Sequence, residues 1–548
     1  MLSLVVNGTS LDLSQDFSIT LKFSSPIFNT VGDYTYPFKI PVTPLNLSTL
    51  GFKHRVENSG DPYEEYDASL FYNDLLLLEG ILRITKAQTD FYEATLYLNK
   101  GDFYYKLKNQ SLQDVDFGTM SWTGETLKMD WINSCKNKFY PERNLAFPML
   151  LNKSYFDELP PEPQLQYFNY YDYGTMYYFT PSAQPYDRTV IVPMLFLRYV
   201  LDKLFEYLQF ELDDSFFSSD PDYNALILYN LVDCNTGPTG YFSYDKLKIF
   251  LNYHVPRISL KDFFINLETY FNIRFFVNNT TKVAKLVSVD KIVKSTDYVE
   301  FSSQVISIAL DLENKITGFD FKLTMDTNDE RFPVINAGQQ VVLDRIKSSV
   351  QSVCELAPWP ASSVGDLRFV FDLDQYWVMN TTKLWQATTA MYWTWNMYSQ
   401  WIYKNKDQSI ESKFSSPCSE EFTPYNAIIG NPRSNWAAYI PTLAFAYYQE
   451  APYDNGFMAS RGFTIDNNNL WVGGHVGLIN KHYKAYFDFR MTAKCLKITK
   501  QMTFLELKEL DFSRKYMIGG NKYLLSEVQV TMTKGKMNPA IIKAYSCF

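Results

Sequence analysis

The sequence predicts a mainly β protein with an α+β module in its middle. Three observations predict it. Turn pairs that accept positive φ sit between alternating apolar residues at both ends of the chain, two apolar runs with helical spacing lie between residues 193 and 271, and aromatic residues reach 17%, with 41 Tyr and 42 Phe. At 548 residues the chain has room for roughly three or four domains rather than one compact core.

The first 130 residues read as strands joined by short turns. LSLVVNGTSLDLS alternates around Asn7-Gly8, a pair suited to a two-residue hairpin turn, and ASLFYNDLLLLEGILRI repeats the pattern around Asn73-Asp74. FYEATLYLNKGDF then alternates with period two, so residues 1–130 are expected to form a β domain of small-barrel type. Residues 131–190 lose periodicity and gain Pro160, Pro161, Pro163, Pro181 and Pro185 around FNYYDYGTMYYF, which predicts an arm or insertion.

Residues 191–300 carry the α+β module. VPMLFLRYVLDKLFEYLQFELD has helical spacing, with Pro193 suited to a first turn, and DDSFFSSDPDYNALILYN follows as loop and then strand or short helix. RISLKDFFINLETYFNIRFFVNN predicts a second helix capped by Ser259, with Asp262 in the partial role of a capping box, running into a strand pair that turns at Asn278-Asn279-Thr280-Thr281. Residues 301–350 read as the first part of a second β domain and 481–548 as its C-terminal hairpins. The tail from Tyr486 turns at Gly519-Gly520 in YMIGGNKYLLSEVQVTM. Between them, 351–480 is set apart as an insertion, because seven of the ten tryptophans lie from Trp359 to Trp436. No repeat of solenoid or propeller period is visible.

Composition excludes several functions. A net charge of -9 argues against a general nucleic-acid binder, since phosphate neutralisation needs surplus Lys and Arg. Cys135, Cys234, Cys354, Cys418, Cys495 and Cys547 form no C-x-x-C pair, so free thiols made in a reducing cytoplasm are expected. MLSLVVNGTS lacks the basic start and apolar stretch of a signal peptide, and no run of about 18 apolar residues occurs, so no membrane insertion is expected.

Chemistry-bearing motifs are missing as well. No phosphate loop, nucleophile elbow or H-E-x-x-H occurs, and His54, His254, His475 and His482 are dispersed. Gly473-Gly474-His475 reads as a loop. Asp372 and Asp374 in FDLDQYW would share one face of a strand, a spacing that supplies no pair of carboxylates across a cleft. The expectation is a protein with no catalytic residue, no metal and no cofactor. Trp385, Trp393, Trp395 and Trp401 are candidates for partner or glycan contact, because aromatic faces stack on sugars, although core or subunit interface serves the same composition.

One family resemblance reaches across most of the chain. Ser25-Pro26-Ile27-Phe28 and YPFKIPVTPLNLSTLGFKHRVEN, LFYNDLLLLEGILRI, KGDFYYKLKNQSLQDVDFG, VPMLFLRYVLDKLFEYLQFELDDSFFSSDPDYNALILYN, ISLKDFFINLETYFNIRFFVNNTTKVAKLVSVDKI and LDFSRKYMIGGNKYLLSEVQVTM carry it. Together these blocks resemble tail structural proteins, hub or ring components, of tailed bacteriophages and prophages infecting Bacteroidetes-type gut bacteria, crAss-like phages included. Residues 130–190 and 350–480 lie outside it. The resemblance implies small β-barrel domains joined by an α+β module, assembled as a homo-oligomer ring in the virion tail with other tail proteins as partners. It also implies synthesis in the host cytoplasm, and genomic DNA passing through the channel without specific binding.

Under that resemblance the proline-punctuated stretch has a role. An extended segment exposes backbone groups that a neighbouring strand must pair, so Tyr36, Pro37, Phe38, Pro41 and Pro44 are candidates for a barrel edge or subunit boundary. The rival expectation is a tail adhesin or receptor-binding protein that uses the tryptophans on host glycans. A tail-borne cell-wall hydrolase lacks a recognisable acid, nucleophile or metal set.

Overall fold

A computed structural model describes residues 2–151 apart from positions within 30–31, 56–63, 99–106 and 123–124, then 167–172, 175–176, 191–229, 232, 247–312, 315–323, 367–372, 375–383, 393–403, 408–413, 444–450, 458–461, 470 and 477–547; of 367–403 it describes the backbone alone. The fold is mainly β, with large sheets curled like half-barrels and a minority of helices.

The N-terminal segment contains β1 (Leu2–Val6), β2 (Thr9–Ser10), β3 (Ser18–Ser24), β4 (Asp33–Thr35), β5 (Phe38–Pro41), helix α1 (Pro44–Leu50), β6 (Glu65–Tyr72), β7 (Leu75–Ala87) and β8 (Phe91–Leu98). Asn7 and Gly8 adopt φ of 47° and 79° between the paired Val6 and Thr9, and Asn73 and Asp74 adopt 51° and 60° between Tyr72 and Leu75. Both turns form where the sequence places them, because their positive φ matches the twist of the flanking strands.

The middle holds β9 (Leu145–Ala146), β10 (Met194–Phe196), α2 (Leu197–Tyr207), β11 (Leu226–Leu228), α3 (Leu260–Phe271), β12 (Ile273–Asn278) and β13 (Val283–Ser288). Pro193 does not open a helix, as the sequence reading had it; it precedes β10. Met194–Phe196 pair with β9 and β11 and are fully buried, so this part of the apolar run lies in a sheet and α2 starts only at Leu197. A short continuous apolar run fits a buried strand as well as a helix turn, which is why spacing alone misplaced the boundary.

The second helix is where the sequence puts it. Ser259 Oγ accepts from the Asp262 N–H at 3.1 Å, and Asn272 closes the helix in the left-handed conformation at φ 48°. The β12–β13 hairpin pairs Asn278 with Val283, and Asn278 Oδ1 accepts from the N–H groups of Thr280 and Thr281.

Further along lie β14 (Tyr298–Glu300), β15 (Val305–Asp311), β16 (Trp393–Tyr403), β17 (Phe445–Glu450), β18 (Met458–Arg461), α4 (Lys484–Thr492), β19 (Cys495–Lys500), β20 (Lys515–Ile518), β21 (Asn521–Thr533) and β22 (Ala540–Cys547). The tail does not begin with hairpins at Tyr486. That residue sits in α4, which continues a π-helical turn over Ile479–Tyr483 and buries Tyr486, Phe487 and Phe489. The expected turn at Gly519-Gly520 does form, with φ of 58° and 81° between the paired Ile518 and Asn521.

One 14-stranded sheet runs in the order β2-β1-β6-β7-β8-β4-β3-β21-β22-β19-β15, with β5 on β8 and β20 joining β14 to β21. The first and last segments of the chain therefore share a sheet, sealed by seven residue pairs from Ser18–Thr533 to Ser24–Glu527. Its covered face carries one core, with Leu4, Leu21, Leu70, Leu96, Val528, Val530 and Ile542 all at 0% exposure. Each such side chain contributes roughly 1.5–3 kcal/mol by leaving water. A second core gathers around α2, α3 and the five-stranded sheet β9-β10-β11-β17-β18, and is dense in Phe and Tyr.

Candidate functional site

The proline-punctuated segment is held along β8 of its own chain. Phe38, Lys39, Ile40 and Pro41 pair with Ala94, Glu93, Tyr92 and Phe91, the ladder is extended by Val42 N–H donating to Asp90 O, and on the preceding side Tyr36 N–H donates to Thr20 O of β3. Alternation then splits the side chains. Phe38 and Ile40 enter the core, where Phe38 meets the edge of Phe17 at 5.8 Å, while Lys39 stays exposed with its ammonium 4.2 Å from the Phe91 ring.

Helix α1 follows at once. Thr43 Oγ1 accepts from the Asn46 N–H, Pro44 occupies the first turn, where its missing N–H costs nothing, and Gly51 at φ 76° ends the helix. Of the five candidate residues, Phe38 is buried, Pro41 half-buried, and Tyr36, Pro37 and Pro44 exposed. Among the described residues no strand pairs the outer edge of β5.

The tryptophan segment is only partly described. Trp385 lies outside the described residues; Trp393, Trp395 and Trp401 are in β16, with Trp393 opposite Lys383, Trp395 opposite Thr381, and Trp401 between Trp377 and Phe321. That strand belongs to a five-stranded sheet with Leu367–Asp372, Gln375–Lys383, Phe319–Leu323 and Gln408–Ser412. Asp372 ends its strand, whereas Asp374, the Gly473-Gly474-His475 loop, Cys234, Cys354 and Cys418 lie outside the described residues.

The remaining chemistry-bearing residues are spread through the interior. His254 and His482 are buried in separate places, and burial lowers their pKa to about 4 and about 3. For His482 the ammonium groups of Lys481, Lys291 and Lys294 add to the effect, and its ring lies among Phe216, Phe271 and the Tyr223 hydroxyl. His54 Nδ1 contacts the Tyr92 hydroxyl at 2.9 Å. Cys135, Cys495 and Cys547 are free thiols, with burial raising Cys135 and Cys547 to about 11, so neither is a reactive thiolate near neutrality. No group of His, Cys, Asp and Glu among the described residues is arranged to hold a metal.

Two features escape a reading of the sequence. Lys500 is fully buried, donating to Ser303 O, 3.0 Å from Glu506 and 4.6 Å from the Phe301 ring, an internal tie from β19 to the segment 301–303 and to the short helix Phe504–Lys508. A cleft of about 280 Å³ lies between Phe117, Trp131, Arg143, Tyr199 and Leu251. Neither juxtaposition is signalled by spacing, since Ser303 and Phe301 reach Lys500, and Phe117 and Leu251 reach the cleft, from distant parts of the chain.

No family model matches the chain, and no curated protein matches it. Among solved structures it is similar to the 43 kDa tail protein of prophage MuSo2 from Shewanella oneidensis, at 7% identity and a TM-score of 0.32, over 99% of this chain and 97% of that one. It is also similar to a tail protein from Neisseria meningitidis MC58, at 8% identity and a TM-score of 0.29, over 99% and 95% of the two chains. Likeness at this level carries no argument about role.

Proposed function

We propose that the chain is a non-enzymatic structural component of a bacteriophage tail, a hub or ring protein that lines or braces the DNA-ejection channel as a homo-oligomer in the virion. The observation that carries this reading is the series of sequence blocks, from Ser25-Pro26-Ile27-Phe28 to the hairpin at Gly519-Gly520, that resemble tail proteins of phages from Bacteroidetes-type gut bacteria. The curled 14-stranded sheet supports it, since the first block begins directly after β3 and its Ser25 N–H donates to Ser526 O of β21, a strand of the last block. A net charge of -9 fits a wall that lets phosphates pass without holding them. Tyr36, Pro37 and Pro44, exposed beside the open edge of β5, are proposed as part of the contact between subunits.

Mass photometry and cryo-EM of the purified protein and its parent particle test this. The expected result is a closed ring with an open centre whose lining is not dominated by Lys and Arg. A monomer, or a peripheral spike, overturns it.

The tryptophan segment favours one other reading, an adhesin that contacts host glycans through Trp385, Trp393, Trp395 and Trp401. Under it, Trp393→Ala and Trp395→Ala weaken sugar binding relative to the parent chain; under the hub reading, no sugar Kd is measurable for any of the three proteins.

A further inference from the structure

The core of the 14-stranded sheet runs off one edge uncovered. Side chains opposite one another in neighbouring strands share a face, and the row Phe23, Val528, Ile542, Ile498, Ile308 crosses β3, β21, β22, β19 and β15. The first four are buried, at 4% exposure or less, whereas Ile308 is 47% exposed. Its neighbours along β15 behave alike: Ile306 is 61% and Leu310 54% exposed, and Leu312 just beyond is 86%. Strand β15 closes the sheet, and among the described residues nothing pairs its outer side.

The backbone of the same residues faces outward. Gln501 N–H donates to Gln304 O, and on the other side of β19 Ser546 N–H donates to Lys494 O. Alternation from these two bonds assigns Cys495, Lys497 and Thr499 to β15, and Leu496 and Ile498 to β22. Ile308 and Leu310, opposite Ile498 and Leu496, therefore direct their N–H and C=O groups away from β19, to the side where no described strand lies. The other free edges of the sheet among the described residues are blunted: β2 has two residues, β14 has three, and β5 is bracketed by Pro37 and Pro41. Among the described residues of this sheet only β15 presents a long apolar edge, regular from Ser307 to Asp311 after a bulge at Ile306.

We propose that β15 is a docking strand for the β15 of a second copy of this chain, joined antiparallel about a two-fold axis at Ile308. The strand fits itself. With Ile308 opposite Ile308, Ser307 falls opposite Ala309 and Leu310 opposite Ile306, the extra residue of a bulge between Val305 and Ser307, so the outward groups of Ile308 meet at the axis and the apolar row continues into the second copy. Asp311, the single charged residue of the strand, falls opposite Val305 rather than its own counterpart, so no like charges face each other. A two-fold contact uses one self-complementary patch twice. It joins two copies, or two rings back to back, and it stands on the sheet edge alone, independently of the tail reading.

The test uses the full chain. Ile308→Cys under mild oxidation is expected to give a covalent dimer on a non-reducing gel, while Leu75→Cys, exposed at a distant hairpin, gives none above the parent level. The double variant Ile308→Lys, Leu310→Lys is expected to halve the assembly mass measured by mass photometry, with an unchanged urea midpoint because both side chains are already exposed. Failure of Ile308→Cys to cross-link above Leu75→Cys, or an unchanged assembly mass in the folded lysine variant, overturns the proposal.

Discussion

Asn46 is 1% exposed, and all its amide capacity is directed at backbone: Oδ1 accepts from Asp12 N–H, and Nδ2 donates to Asp12 O and Pro41 O, each at 2.8 Å. One side chain thus ties α1 to the end of β5 and to the loop after β2. Asn46→Ala leaves those groups unpaired away from water and is expected to cost about 2–4 kcal/mol, read as a lower urea midpoint at constant slope. The sequence gives no hint of this, because Asn in PLNLSTL looks like an exposed helix position.

The buried histidines act by pH. As pH falls below 6.5 the unfolded chain takes up a proton at His254 and at His482, while the folded chain refuses one until about pH 4 and about pH 3. Their contribution is therefore complete above pH 6.5 and declines below it, by about 3 kcal/mol for each residue at pH 4. Urea titrations at pH 7.5, 6, 5 and 4 check this, and His482→Phe is expected to remove about half of the decline, since Phe216 and Phe271 already make its surroundings aromatic.

At the scale of elements, turns and caps were legible and approach distances were not. Asn7-Gly8, Asn73-Asp74, Gly519-Gly520 and the Ser259 cap each express a local backbone demand, so local sequence suffices to find them. The start of α2 and the helix α4 were misread because tertiary pairing, in β10, and burial of an aromatic face, in α4, decide them. Gly80 shows the limit. A Cβ there would lie 1.9 Å from Tyr97 O in the neighbouring strand β8, so Gly80→Ala must push β7 from β8 and is expected to cost about 2 kcal/mol or more. Gly535, with nothing within 4 Å of its Cβ position and no positive φ, is the control: Gly535→Ala is expected to leave the melting temperature unchanged or slightly raised.

At the scale of the molecule, the decisive contact joins residues 511 positions apart, where Thr20 and Thr531 hydroxyls meet at 2.9 Å between β3 and β21. Period-two alternation foretold strands at both ends of the chain but could not say that they pair, since alternation fixes which face is apolar and leaves the neighbour open. Without residues 515–548, β3 loses its ladder with β21 from Ser18 to Ser24 and keeps only the pairing of Leu21 and Lys22 with β4, and Leu21 and Phe23 lose Val530 and Val528 opposite them. Loop-closure cost grows only slowly with length, so a long connection between the two segments is tolerated, but each half alone leaves an apolar sheet face uncovered. A fragment of residues 1–110 is therefore expected to aggregate or to lack a cooperative thermal transition, and to be rescued as a copurifying complex when a fragment of 491–548 is co-expressed. Circular dichroism melts and a pull-down through a tag on the shorter fragment read both outcomes. A sharp, reversible melt of 1–110 by itself would mean that the N-terminal strands close their own core, and that the shared sheet is docking between two finished units rather than one fold built from both ends of the chain.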